Sequence, residues 1–529
     1  MKSLNPFKCL ALLLAAFVLA SCSQKEVEAR TDDAVAYTIS IQDIVAQTAQ
    51  VEVRFPAVSG SVVLYMPVWT PGYYVKENFK GKVLELHASD AAGKALAVAD
   101  AGENRWRVDA PSSGGIVVRY VLLADGRSVS LNEIAGNYAV FNGSATYVTA
   151  KGVESLEQRV RLSVPEGWNV ATGLKSSEAS NHFVAADYEE LVDSPILAGD
   201  LEILEFESTG TPHVIAYNRG AVEVDNARVV QDLKTMVDAT RAFWAEKPWR
   251  KYAFLIAFRE AGGGLEHRHS TFVNVNPERF ATPRGYDAFV SLMAHEYQHA
   301  FNVKRLRPFE LGPFDYENPP AVSSLWISEG LTSYYSNLML RRSGLIGVEE
   351  YLEVLSRQIT ALQNSPGRLK QSLEQSSLGV WSNSLSGVNA SDDTVSYYIK
   401  GEVAGFLLDA HIRHATNGEK SLDDAMRAAY ARYSGPTGFR PEEFAAVLEG
   451  VVGKPMADWF ATVVGSATEL DYAEALGWFG LELTQREDGD KTKWSVSASN
   501  DADEAQRRRF AEWLGVEGGD APPVGVQGG

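Results

Sequence analysis

The segment His295-Glu296-Tyr297-Gln298-His299 constrains this chain more than any other. Two histidines four residues apart share a face only on an α-helix, where both imidazoles can reach one metal ion with Glu296 beside them. The surroundings agree: Phe289, Met293, Tyr297 and Phe301 form one stripe, and no Gly or Pro occurs from Tyr286 to Arg307, so a helix is expected there, ended by Pro308. A two-histidine site needs a third ligand, and Glu329 in Leu325-Trp-Ile-Ser-Glu-Gly-Leu-Thr-Ser-Tyr-Tyr is the candidate. It opens a second helix that should stop at Arg341, Arg342 and Gly344. A carboxylate facing His295 and His299 completes a His₂Glu set for one zinc ion and leaves a fourth position for water, as hydrolytic zinc requires.

The rest of the chain is read by period. Alternation at Tyr37/Ile39/Ile41, Val51/Val53/Phe55, Trp106/Val108 and Val160/Leu162/Val164, with apolar runs at 62–66 and 116–123, predicts a β-rich domain over 36–205. After Pro212 the period becomes helical (Val229, Leu233, Met236, Val237, Phe243). Strand-like runs follow at 252–258 and 271–275, and helices dominate from about Tyr286 to Val464. The expected class is α+β: the β-rich domain, a zinc-site domain over 206–345, a helical part over 346–480, and a short C-terminal segment with a Gly/Pro-rich tail over 481–529, expected to be disordered.

With 45% apolar residues the 529-residue chain can bury real cores, and the formal charge of −19 without a basic stripe argues against a nucleic-acid partner. Both cysteines fall within the first 22 residues, which excludes a disulfide framework. Lys2 and Lys8 precede an apolar run from Leu10 to Ala20, too short to span a bilayer and suited to a secretory signal over 1–21. Its end, Leu19-Ala20-Ser21-Cys22, resembles the bacterial lipobox, which implies lipidation at Cys22, a tether over 22–35 and attachment to a membrane. Cleavage removes Lys2 and Lys8, so the exported chain carries −21. Ser23 after the cysteine implies an outer-membrane, periplasm-facing location if the source is Gram-negative.

HEYQHAFNVKRLRP, with Glu329 of WISEGLTSYY thirty residues after His299, resembles the glycyl aminopeptidase family of zinc metallopeptidases, relatives of the thermolysin-like and aminopeptidase N-like enzymes. MPVWTPGYYVKENF (66–79), GGGLEHRHS (262–270), SYYIKGEVAGFLLDAHIR (396–413) and SLDDAMRAAYARY (421–433) extend the likeness over about 36–480. The family implies a thermolysin-like catalytic domain behind the N-terminal β domain. It also implies peptide substrates cut from the N-terminus with Gly or Ala foremost, Glu296 as general base, and Glu266 as the carboxylate that holds the free α-amino group. In Tyr397-Tyr398-Ile399-Lys400-Gly401 it implies a tyrosine that stabilises the oxyanion; Tyr398 is the first choice and Tyr397 the second. His267 and His269 are not expected to be ligands. Many members continue into a C-terminal PDZ-like domain, whereas only 51 residues follow Trp478 here. Two other readings share these residues: an endopeptidase with the same zinc site, and a lipid-anchored peptide-binding protein without catalysis.

Overall fold

The structure, a computed structural model, describes residues 33–56, 58–112, 114–381 and 391–516. The expected signal segment, Cys22 and the Gly/Pro tail beyond 516 lie outside the described residues. Among those described, no helix is long and apolar enough to cross a membrane.

The first domain is β-rich, as its alternation demands. In Val35–Asp43 the buried Val35, Tyr37 and Ile39 alternate with partly exposed neighbours, and Thr48–Phe55 buries Ala49, Val51, Val53 and Phe55. These strands lie at the centre of an eight-stranded sheet, flanked by two four-stranded sheets. Three buried phenols tie the stretch 146–148 beneath it: Tyr37 Oη donates to the Val148 carbonyl (3.1 Å), Tyr120 to Thr146 (2.7 Å) and Tyr188 to Tyr147 (2.8 Å). Each removes a buried hydroxyl from the list of unpaired polar groups.

The expected boundary at 205 falls inside a strand. Leu201–Ser208 (β1) pairs with Thr211–Asn218 (β2) and belongs to the next domain, so the β domain ends near Gly199. Strand period continues unbroken across the junction and could not reveal it. Tyr252–Phe258 (β3), Gly263–Glu266 (β4) and Ser270–Val275 (β5) complete a five-stranded sheet of order β1-β2-β3-β5-β4. Its centre is parallel, and β4 is an antiparallel edge strand. The helix Asn226–Trp244 joins β2 to β3, capped by the Asp225 carboxylate on Arg228 N–H.

The boundaries at 345 and 480 mark no physical division. One apolar cluster runs from Phe206 to Leu514 and takes in Trp69 and Tyr74 from the β domain. The segment after 480 is not a mere extension: a hairpin, Leu481–Asp488 with Lys491–Ala498, leads to the helix Glu504–Leu514. Trp513 is fully buried there, its indole N–H donating to Tyr334 Oη (2.9 Å), and Arg342 donates to the Trp513 carbonyl. Its signs were in the sequence: alternation at Leu481/Leu483 and Trp494/Val496, then an Asp503–Gln506 capping box.

The insert between the two zinc-motif helices straps the domains together. Val68 N–H and Trp69 Nε1 donate to the Tyr316 and Asp315 carbonyls (both 2.8 Å), Glu317 pairs with Arg105 and Lys151, and Trp381 Nε1 reaches the Pro320 carbonyl.

Candidate active site

Thr282 caps the helix that carries the two histidines, Pro283–His299, with Pro283 at its first position. It ends at His299, eight residues before the Arg307 expected from sequence. Asn302 is the reason: its carbonyl faces His299 Nδ1 (2.9 Å), while its side-chain amide donates to the Ile327 carbonyl and to Thr332 Oγ1. Serving those partners turns the chain out of the helix into wider turns, with Lys304 N–H on the His299 carbonyl and Leu306 N–H on that of Phe301.

Glu329 lies in a π-helical turn, Trp326–Gly330, ahead of the helix Leu331–Arg342. Such turns recur at functional sites because the extra residue re-aims a side chain. Gly330 lies against Gly401 of the helix Tyr397–Ala415, where a Cβ would strike backbone, so the two segments cross at close range.

These elements bring His295, His299 and Glu329 to one point. The two Nε2 atoms are 2.9 Å apart, and Glu329 Oε2 is 3.0 Å from His299 Nε2 and 3.7 Å from His295 Nε2. Among the described residues this is the one group of three or more His, Cys, Asp or Glu side chains arranged to hold a metal ion. The buried Glu329 Oε2 faces only the two imidazoles, and the Asn302 carbonyl takes the Nδ1–H of His299, which leaves the Nε2 lone pair available to a metal. Against the effect of burial, the charges of Glu329, Glu266 and Glu296 push the His299 imidazole up to about 10. Burial also opposes the Glu329 charge, yet His299 and His295 hold its carboxyl at about 2. Two imidazoles and a carboxylate converging on one point fit zinc. His267 and His269 are not in the group; His267 Nδ1 faces Asp193 instead (3.2 Å).

Glu296 is buried on the same helix, its Oε2 without a partner. Burial, then Glu266 and Glu329, push it up to about 8, with His299 opposing. Edge strand β4 passes directly over it: a Cβ at Gly264 would overlap the Glu296 carboxylate. Glu266 ends that strand, 3% exposed, with Oε1 unpartnered. Burial raises its carboxyl, partly offset by Lys304 and His299. The Tyr398 ring lies along that of His295, centroids 6.2 Å apart, and Tyr397 stacks against Tyr398 at 5.0 Å. Tyr398 is thus in ring contact with His295, while both tyrosines lie near enough to Glu329 for its charge to raise them beyond the effect of burial.

Four residues at this site escaped sequence reasoning. Gly72, at φ +98°, lies so close to Glu266 that a Cβ would overlap its carboxylate. Tyr74 is buried with an unpartnered hydroxyl, near enough to Glu329 and Glu266 for their charges to raise it beyond the effect of burial. Asp193 and Lys304 complete the set (2.9 Å apart). Gly72 and Tyr74 belong to the block at 66–79 quoted above, which entered only as part of the family likeness; Asp193 carries no sequence signal.

A His–His–Glu donor set on crossing helices beneath an edge strand, with a buried glutamate between the histidines, defines a metallopeptidase. Residues 36–200 match the peptidase M61 N-terminal domain and residues 288–404 match M61 glycyl aminopeptidase, together more than half of the chain. The chain belongs to the M61 peptidase family. The structure resembles that of an aminopeptidase N family protein from Idiomarina loihiensis (TM-score 0.82, 27% identity), over 89% of this chain and 82% of that one. It shares its fold with an M1 zinc metallopeptidase mutant from Deinococcus radiodurans bound to a Tyr-Ser-Ala substrate (TM-score 0.51, 12% identity, 83% and 94% covered). It also shares it with yeast LTA4 hydrolase in complex with bestatin (TM-score 0.51, 13% identity, 83% and 68% covered). No curated protein sequence matches the chain.

Proposed function

We propose that the protein is a zinc-dependent aminopeptidase that removes N-terminal residues, Gly and Ala foremost, from peptides. The observation that carries this reading is Glu266, a buried carboxylate with a free oxygen at the end of the edge strand, where Gly72 closes the cleft. A peptide laid along β4 by strand addition would bring its ammonium there and its first carbonyl toward His295, His299 and Glu329. Zinc held by those three would supply Lewis acidity and lower the pKa of water. Glu296 takes the proton of the attacking water and hands it to the departing amine. The Tyr398 hydroxyl donates to the carbonyl oxygen as it gains charge, a contribution of about 3 kcal/mol for one well-aimed donor. Glu266 pairs with the ammonium and sets the register at one residue. An endopeptidase would need the chain to continue past Glu266, where Pro71, Gly72 and Lys304 stand; a protein without catalysis would not need Glu296.

Glycyl and alanyl reporter substrates should be cut, a chelator should abolish cutting and zinc should restore it, and elemental analysis should find one zinc per chain. Acetylated substrates cut as fast as the free amines would overturn the exopeptidase reading. Lipid attachment at Cys22, and with it an outer-membrane location if the source is Gram-negative, is part of the proposal and rests on the leader sequence. Cys22→Ala should release the protein from the membrane fraction.

A further inference from the structure

The amino end of the cleft contains a charge arrangement that the mechanism above does not use. Lys304 Nζ is 2.9 Å from Asp193 Oδ1, 3.4 Å from the Pro71 carbonyl and 4.0 Å from Glu266 Oε1. All three side chains are enclosed: Lys304 and Glu266 are 5% and 4% exposed and Asp193 13%. Asp193 comes from the β domain, where it ends the short helix Tyr188–Val192. It has further partners, with Arg268 N–H donating to Oδ2 (2.7 Å) and His267 Nδ1 facing Oδ1 (3.2 Å). The neighbouring Arg305 is engaged elsewhere, donating to the Ala300, Arg268 and Pro248 carbonyls.

In formal charge, Asp193, Lys304 and Glu266 sum to one negative charge, the complement of one ammonium. Lys304 could satisfy either carboxylate; the geometry commits it to Asp193 and leaves Glu266 Oε1 without a hydrogen bond. A buried ammonium bonded to Glu266 would occupy the place that the substrate needs.

We propose that Asp193 and Lys304 are positioning residues for Glu266. Asp193 takes up the Lys304 charge, so that Glu266 stays free for the substrate ammonium, while Lys304 holds the Pro71–Gly72 backbone against the Glu266 carboxylate. The inference rests on the aminopeptidase reading and makes the β domain part of the substrate site. Without Asp193 the lysine turns to Glu266 and becomes an internal competitor of the substrate. Removing both members of the pair returns the local charge to minus one, and buried ion pairs often tolerate joint neutral replacement better than loss of one partner.

The test is steady-state kinetics of the zinc-loaded full chain on a glycyl reporter, with zinc content measured for each variant. Asp193→Asn should raise KM at least tenfold with kcat within threefold and zinc retained. The double variant Asp193→Asn/Lys304→Met should lower KM again by at least threefold relative to Asp193→Asn, short of the wild-type value because the contact of Lys304 with the Pro71 carbonyl is gone. Lys304→Arg keeps the ion pair and the fold, yet its longer fork reaches both carboxylates, so it should raise KM in the same sense and serves if Asp193→Asn does not fold. Inhibition by glycinamide, a bare amine probe, should weaken in parallel with KM, whereas a merely structural loss would lower kcat and zinc content together. Unchanged KM in both single variants, or a double variant no better than Asp193→Asn, overturns the proposal. If Glu266→Gln itself leaves KM for the free amine unchanged, the aminopeptidase reading fails instead, and the two failures are thereby distinguished.

Discussion

The two ends of the site are built in opposite ways. At the metal end His295, His299 and Glu329, the proposed ligands, and Glu296, the proposed base, come from 35 consecutive residues, on one helix and the π-helical turn that opens the next. At the amino end Pro71 and Gly72, Asp193, Glu266 and Lys304 come from four separate stretches and both domains. The first is a local design, in which helical spacing aims the side chains before the domain is complete. The second exists only when the β domain, the edge strand and the turn after the histidine helix have docked. The difference implies that chemistry and substrate capture should fail separately.

The largest expected effects lie at the metal end. Glu329→Gln should lose the metal and with it essentially all turnover. Glu296→Gln should keep zinc while kcat falls about a thousandfold, close to 4 kcal/mol of barrier. If Glu296→Gln also loses zinc, the base and the ligands are not separable roles.

Next comes Glu266→Gln, expected to cost about a hundredfold in kcat/KM on free-amine substrates, mostly in KM, with metal content unchanged. A fall confined to kcat would erase the contrast between the ends.

Gly72→Ala probes the same end from the β domain. Its φ of +98° and the overlap of a Cβ with Glu266 should together cost about tenfold in kcat/KM, with zinc retained and only about 1–2 kcal/mol of stability lost. A drop in zinc content would mean that the two ends are mechanically coupled.

The smallest effect lies outside both. Glu402 is buried on the helix that presents Tyr398, with Asn337 donating to it (2.8 Å), and burial pushes it up to about 7. Its folded pKa exceeds the unfolded one, so the fold loses stability as pH rises from about 4.5 through about 7 and gains none back above that. Glu402→Gln should therefore raise Tm by a few degrees at pH 8, on the order of 3 kcal/mol at most, and change little at pH 4.5. Equal Tm shifts at both pH values would assign the effect to packing.

Much of this contrast was legible in advance, and unevenly. The i, i+4 spacing of His295 and His299 and the stripe through Phe289, Met293 and Tyr297 specify a helix and one shared face, so the two histidines of the donor set follow from the chain alone, and Glu329 only as a candidate. The helix end does not: the stretch after His299 has no Gly or Pro, but Asn302 is drawn to partners in the Glu329 segment. The strand at Leu201–Ser208 was legible as a strand but not as a member of the second sheet, because alternation records a buried face and not which sheet supplies it. The hairpin and final helix were passed over although their alternation and capping box were present; their burial of Trp513 appears only in the fold.

By itself, then, the sequence determined the spacing that makes His295, His299 and Glu329 a candidate donor set with Glu296 beside it, the β-then-helical order of the chain and the acidic, thiol-free character of everything after residue 22. These depend on local spacing and composition, which need no knowledge of distant residues. Only the tertiary structure decided that Gly72 and Asp193 of the β domain close the amino end, that Lys304 is committed to Asp193, and that Tyr398 rather than Tyr397 lies along His295. Such contacts join residues more than a hundred positions apart. No periodicity in the chain encodes them, because they are set by how the sheets and helices pack.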